Sequence, residues 1–90
     1  MQMKAGKKVM IPESPVSLVD LIPGQKGIVH QIAGGPGVEN KLCVMGVVPG
    51  KRITKVSQLP AGGPVVIRLD EHELALGRGV AQKIVIKVSE

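Results

Sequence analysis

The side chains best suited to hold a metal or move a proton are His30, Cys43, Asp70, Glu71, His72 and Glu73. Four of them stand together as Asp70-Glu71-His72-Glu73. In an extended segment Glu71 and Glu73 share one face and His72 points to the other, so the run chelates only if it turns sharply. In a turn, His72 with Glu73 makes a weak surface site. Cys43 lies in a short apolar helix and reads as a small core filler. The spacing matches no structural zinc pattern, and neither histidine stands near Cys43 in sequence to activate a thiol. Ala33-Gly34-Gly35-Pro36-Gly37 has the glycines of a phosphate-cradling loop but lacks the Gly-Lys-Ser/Thr ending and reads as a plain loop. The expectation is no catalytic residue, no cofactor and no resident metal, with His72, Glu73 and Cys43 the weak candidates for a specific metal and His72 the place for adventitious binding.

The elements that position these residues are short. The chain has 90 residues, 12 glycines and 7 prolines, and 43% of it is hydrophobic with no Phe, Tyr or Trp. A single domain of this size buries roughly 60–65% of the surface its unfolded chain exposes, so the core is small and made of Val, Ile, Leu and Met. The missing aromatics argue against a proline-rich-peptide groove and against a base-stacking platform for single strands. The formal charge is +5, with Lys4, Lys7 and Lys8 in the first residues. Residues 1–12 are expected to be a flexible basic tail and residues 13–90 a single domain. One cysteine excludes an internal disulfide and fits a reducing compartment. No apolar run approaches the ~20 residues of a membrane span, and no signal peptide is visible. The expected location is cytoplasmic, with the membrane reached only through a partner.

Glu39 to Val56 carries the densest local code. Leu42 and Met45 share a helix face, Gly46 stops the helix, Pro49-Gly50 makes a type II turn, and Lys51 to Val56 follows as a strand with one wet face. The same device stands earlier. Ser14 to Ile22 predicts a short helix facing inward through Leu18, Leu21 and Ile22, capped by either Ser14 or Ser17. Pro23-Gly24 makes the turn, and Gln25 to Ile32 the strand, with Ile28 and Ile32 on one face and Val29 on the other. Val65 to Asp70 is a cleanly alternating strand with Val65, Ile67 and Leu69 inward. A turn at Glu71-His72, a strand to Leu76, a helical turn within 77–83 and a last strand from Ile84 to Val88 complete the pattern. The prediction is a mainly β fold, a small bent barrel of five short strands with two or three short helices.

SLVDLIPGQKGIV, KLCVMGVVPGKRI and GGPVVIRLDEHELALGRGVAQKIVI, taken in order, resemble the FeoA family of ferrous iron transport proteins. The resemblance covers about Val16 to Val88. Its most specific residues are Leu42, Met45-Gly46 and Pro49-Gly50, supported by Gly63-Pro64, Leu74-Ala75-Leu76, Ala81 and Ile84. It implies an SH3-like barrel and a non-enzymatic accessory protein that acts with FeoB, a membrane transporter with a cytoplasmic GTP-binding domain. The same fold forms the C-terminal module of iron-dependent repressors, which makes a transition-metal-binding regulatory module an alternative. PGQKGIVHQI also resembles the KOW element of RNA-binding SH3-like proteins, although the missing aromatics disfavour nucleic acid.

The expected working surface is therefore a partner-binding patch. Val44 and Val47 would form a small apolar centre rimmed by Lys41, Lys51 and Arg52, suited to an acidic face of the transporter domain. An exposed strand edge would also permit pairing between copies of the chain.

Overall fold

The computed structural model describes residues 14–89. Strand β1 is Val16–Ser17, and a 3₁₀ turn follows at Leu18–Asp20. Strand β2 is Lys26–Ile32, helix α1 Pro36–Val44, β3 Arg52–Gln58, β4 Val65–Leu69, β5 His72–Leu76, helix α2 Arg78–Ala81 and β6 Ile84–Ser89. The strands form one antiparallel six-stranded sheet in the order β1-β6-β2-β3-β4-β5. The sixth strand, beyond the five expected, is the two-residue β1, which pairs Val16 with Ile86 and Ser17 with Val85. The basic tail expected over 1–12 lies outside the described residues.

Both Pro-Gly turns form as their residue types require. Gly24 and Gly50 have φ of 95° and 94°, and Gln25 N donates to Ile22 O and Lys51 N to Val48 O, each at 3.0 Å. Each turn is also docked on a strand. Gly24 N donates to Lys55 O at 2.7 Å, and Gly50 N to Val29 O at 2.8 Å. A local φ preference thus becomes a tertiary anchor.

The helix expected over 14–22 is only the three-residue 3₁₀ turn. Of the two caps left open, Ser17 is used: its Oγ accepts from Val19 N at 3.3 Å and donates to Gln82 O at 3.1 Å. With three residues per turn, Leu18 and Leu21 share a face and Ile22 leaves it. The burial follows, at 0%, 3% and 65% exposed respectively. Pro23 reinforces this by disfavouring helix at Ile22.

A bulge in β2, between Val29 and Gln31, reverses the facing expected there. It brings Val29 and Ile32, an odd number of positions apart, onto the inner face, and leaves Ile28 half-buried on the outer one. Helix α1 begins at Pro36, inside the stretch expected to be loop, because Pro suits the first turn of a helix. The turn between β4 and β5 is Asp70-Glu71 rather than Glu71-His72, so His72 pairs with Leu69. The inner face collects Leu18, Leu21, Val29, Leu42, Val47, Ile53, Val65, Ile67, Leu69, Leu76, Ala81, Ile84 and Ile86 into one core.

One charged residue lies inside that layer. Lys55 is 1% exposed. Ile53 and Lys55 are both inward in β3, and Lys55 stands opposite Ile67. Its Nζ donates to Leu21 O at 2.5 Å, Gln58 Oε1 at 2.6 Å and Val19 O at 3.1 Å. The end of the 3₁₀ turn leaves carbonyls without helical partners, and the Lys55 ammonium supplies donors to them. Burial pushes its pKa below the ordinary 10.5; nearby Asp20 raises it and Arg78 lowers it further.

Candidate docking site on helix α1

The end of α1 sorts the expected patch into separate places. Gly46 takes φ 91°. Val47 N donates to Leu42 O at 2.8 Å and Gly46 N to Cys43 O at 2.9 Å. This reciprocal pair is a Schellman stop, which folds the residue after the glycine back toward the last helical turn. Val47 is consequently fully buried, in the same core as Leu42. The expectation that Val47 is outward is corrected: it is a core residue with no surface to offer a partner.

Lys41 and Val44 remain together. With Val38, Leu42, Met45, Ala75, Leu76, Gly77 and Val80 they line an open, mainly apolar groove of about 500 Å³ between α1, the end of β5 and α2. Val44 is 88% exposed, the most exposed large hydrophobic side chain among the described residues. Lys51 lies elsewhere, where its Nζ bridges the Asp70 carboxylate at 2.5 Å. That hydrogen bond and charge hold the Asp70 pKa below the usual carboxylate value. Arg52 stands exposed on the outer face of β3, opposite Ile28. The five expected positions therefore occupy a groove, a core, an ion pair and a sheet face.

Sequence reasoning missed the other side of the groove. On the α1 side, the helix start at Pro36 adds Val38 to the face of Leu42 and Met45, an i, i+4, i+7 stripe. Ala75, Leu76 and Val80 carried no such signal, because their nearness to α1 is a tertiary fact.

The groove adjoins an open strand edge. The two-residue turn Asp70-Glu71 makes Leu69 and His72 a hydrogen-bonded pair, so along β5 the bonded positions are His72, Leu74 and Leu76. The N–H and C=O groups of Glu73 and Ala75 then point away from β4. Among the described residues no other strand pairs with β5.

The expected metal candidates do not converge. His72 and Glu73 lie on opposite faces of β5, and Glu73 bridges Arg68 at 2.7 Å. Cys43 is exposed on α1 beside Glu39 and Asn40. Among the described residues no three His, Cys, Asp or Glu side chains are grouped to hold a metal ion. No helix of the described residues is long and apolar enough to cross a membrane.

Comparison with known proteins agrees with this architecture. The family model for the FeoA domain matches residues 16–88. An Fe(2+) transport protein A of Methanocaldococcus jannaschii is 33% identical over 67 residues, covering 74% of this chain and 79% of that one. The crystal structure of an iron uptake regulatory protein (FeoA) superposes with a TM-score of 0.74 at 32% identity, covering 83% of this chain and 97% of that one. A manganese-dependent transcriptional repressor reaches a TM-score of 0.77 at 21% identity, over 96% of this chain and 48% of its own, a likeness of fold alone. The mainly β sheet with its few short helices, the Leu42 to Gly50 helix stop and turn, and the match over 16–88 place the chain in the FeoA family of Fe(2+) transport proteins, with an SH3-like fold.

Proposed function

We propose that this chain is a non-enzymatic accessory protein of ferrous iron uptake that binds the cytoplasmic GTP-binding domain of a FeoB-type transporter. Membership of the FeoA family supports a role in Fe(2+) transport. The observation that carries the docking assignment is Val44, 88% exposed on the rim of an apolar groove. A concave apolar surface beside an unpaired strand edge suits a partner's apolar side chain. An apolar side chain of the partner fills the groove against Val38, Met45 and Val80. An extended partner segment pairs with the free main-chain groups of Glu73 and Ala75, and alternate side chains reach the groove. Lys41 on the rim favours an acidic partner face.

Titration of the chain into the isolated cytoplasmic domain, with and without guanine nucleotide and ferrous iron, tests this. Val44→Asp is expected to weaken binding at least about 30-fold, because the complex would then hold an unpaired carboxylate against an apolar surface. Because Val44 is so exposed, the variant keeps its fold and its unfolding midpoint. Arg52→Glu, on the distant sheet face, is expected to leave the affinity of the isolated domains within about threefold, as rim and remote charges do. Unchanged binding of Val44→Asp overturns the docking site.

A further inference from the structure

The outer face of the sheet segregates charge in a way the groove does not use. Register places Lys87, Ile28 and Arg52 in one row across β6, β2 and β3. The next row is Ser89, Lys26, Thr54 and Arg68 across β6, β2, β3 and β4. Strands lie about 4.8 Å apart and alternate residues about 7 Å apart along a strand. Lys87 and Arg52 therefore flank Ile28 about 10 Å apart, and Lys26 sits about 8 Å from each. All three cations are exposed, while Ile28 and Thr54 between them are half-buried. The result is a low platform with cations standing out of it.

No Asp or Glu occurs in β2, β3 or β6. The described carboxylates lie on the β4–β5 hairpin, on the 3₁₀ turn and on α1. The ion pairs among the described residues are Lys51–Asp70 and Arg68–Glu73. The second row continues to Glu73 on β5, which is taken up by Arg68, while Lys26, Arg52 and Lys87 are in no ion pair among the described residues.

We infer that this face lies on an anionic phospholipid surface. Three exposed cations, unpaired among the described residues and spread over three neighbouring strands of one sheet face, fit a plane of headgroup phosphates. Nucleic acid fits less well: the chain has no aromatic residue on which bases could stack, and the three cations stand on a sheet face rather than along a groove. Contact with the membrane is then direct, in addition to contact through a partner. It also raises the local concentration of the α1 groove near a membrane-bound partner, since the second contact becomes intramolecular.

The test is sedimentation of the full chain with vesicles of phosphatidylcholine alone and with phosphatidylglycerol mixed in. Binding is expected only with the anionic lipid, and it should fall steeply between about 0.05 and 0.2 M salt as surface charge is screened. Each basic residue near such a surface contributes about fivefold in partitioning. Lys26→Gln, Arg52→Gln and Lys87→Gln together should therefore weaken binding roughly 100-fold. Exposed polar substitutions leave the unfolding midpoint in place, which is checked on the same variant. Lys4→Gln with Lys7→Gln and Lys8→Gln controls for the first residues, and Val44→Asp controls for the groove. Both are expected to retain salt-sensitive vesicle binding that depends on the sheet face. The inference is overturned if the sheet variant binds like the parent, if neutral vesicles bind as well, if only the N-terminal lysines matter, or if the face prefers RNA to vesicles at equal salt. Since Val44→Asp tests the groove separately, either assignment can fail alone.

Discussion

Replacing Lys55 by methionine is expected to lower folding stability by about 2–3 kcal/mol, and by alanine about 3–5 kcal/mol. Methionine preserves most of the stem that fills the space beside Ile53 and Ile67, and removes only the ammonium. The carbonyls of Val19 and Leu21 then lose their donor in a buried setting, at about 1–3 kcal/mol each. Relief from burying a charge offsets part of that loss. Gln58 is only half-buried, so its amide can turn to water. Alanine adds a cavity to the same loss. A 90-residue domain holds on the order of 5–13 kcal/mol in total, so either change is visible in a urea titration at pH 7. A methionine variant more stable than the parent would show that the buried charge is a net cost here and that water satisfies the two carbonyls.

The same residue sets a pH dependence. Burial lowers the Lys55 pKa in the folded state below 10.5. Below that lowered value the ammonium is charged in both states and the burial penalty is present in full. Between it and 10.5 the unfolded chain holds more protons, so stability rises with pH across that window and levels off above it. The parent should gain stability relative to the methionine variant across the window. A constant difference would mean that Lys55 titrates alike in both states.

Gly27→Ala is expected to cost about 3 kcal/mol or more, and Gly27→Val to prevent folding at ordinary temperature, as overpacking of a rigid core does. A Cβ there would lie 2.3 Å from Ile86 Cγ2 and 2.9 Å from Lys87 O. The first neighbour is a fully buried side chain and the second is sheet backbone, so neither can yield cheaply. The conflict is one of space: β2 and β6 approach too closely at this point for any side chain. Ile86→Ala should therefore lessen the cost of Gly27→Ala, and a double-mutant cycle reads that coupling directly. By contrast Gly37 and Gly79 lie in helices with nothing within 4 Å of a built Cβ. Alanine at either should raise stability by about 0.5–1 kcal/mol. If Gly27→Ala melts where the parent does, the strands can separate and the close approach is not structural.

The working surface was only partly legible before the fold was known. Lys41 and Val44 are neighbours along one helix, and their spacing placed them together. Lys51 and Arg52 adjoin in sequence, but Lys51 closes the Pro-Gly turn and pairs with Asp70 while Arg52 opens β3 on its outer face. Val47 looked like surface because it follows a helix stop. The fold-back of that stop carries it inward instead. The far wall of the groove comes from β5 and α2, more than thirty residues later in the chain, and no local pattern announces such a meeting.

What the sequence determined by itself are features set within four or five residues. The Pro-Gly turns, the Gly46 stop and the alternation of Val65 to Leu69 depend on φ preference and on the period of side chains along a strand, so each is written where it acts. The family was legible for the same reason, since Leu42, Met45-Gly46 and Pro49-Gly50 encode one local shape. The tertiary structure alone decided which face Val29 and Ile28 take, because a bulge answers to the neighbouring strand. It alone gave Lys55 its acceptors, carbonyls 34 and 36 positions away. It also gathered Lys26, Arg52 and Lys87, residues from three strands, onto one face where none of them is ion-paired among the described residues. Hydrogen-bond satisfaction and strand register join distant parts of a chain, and they take effect only when those parts are packed together.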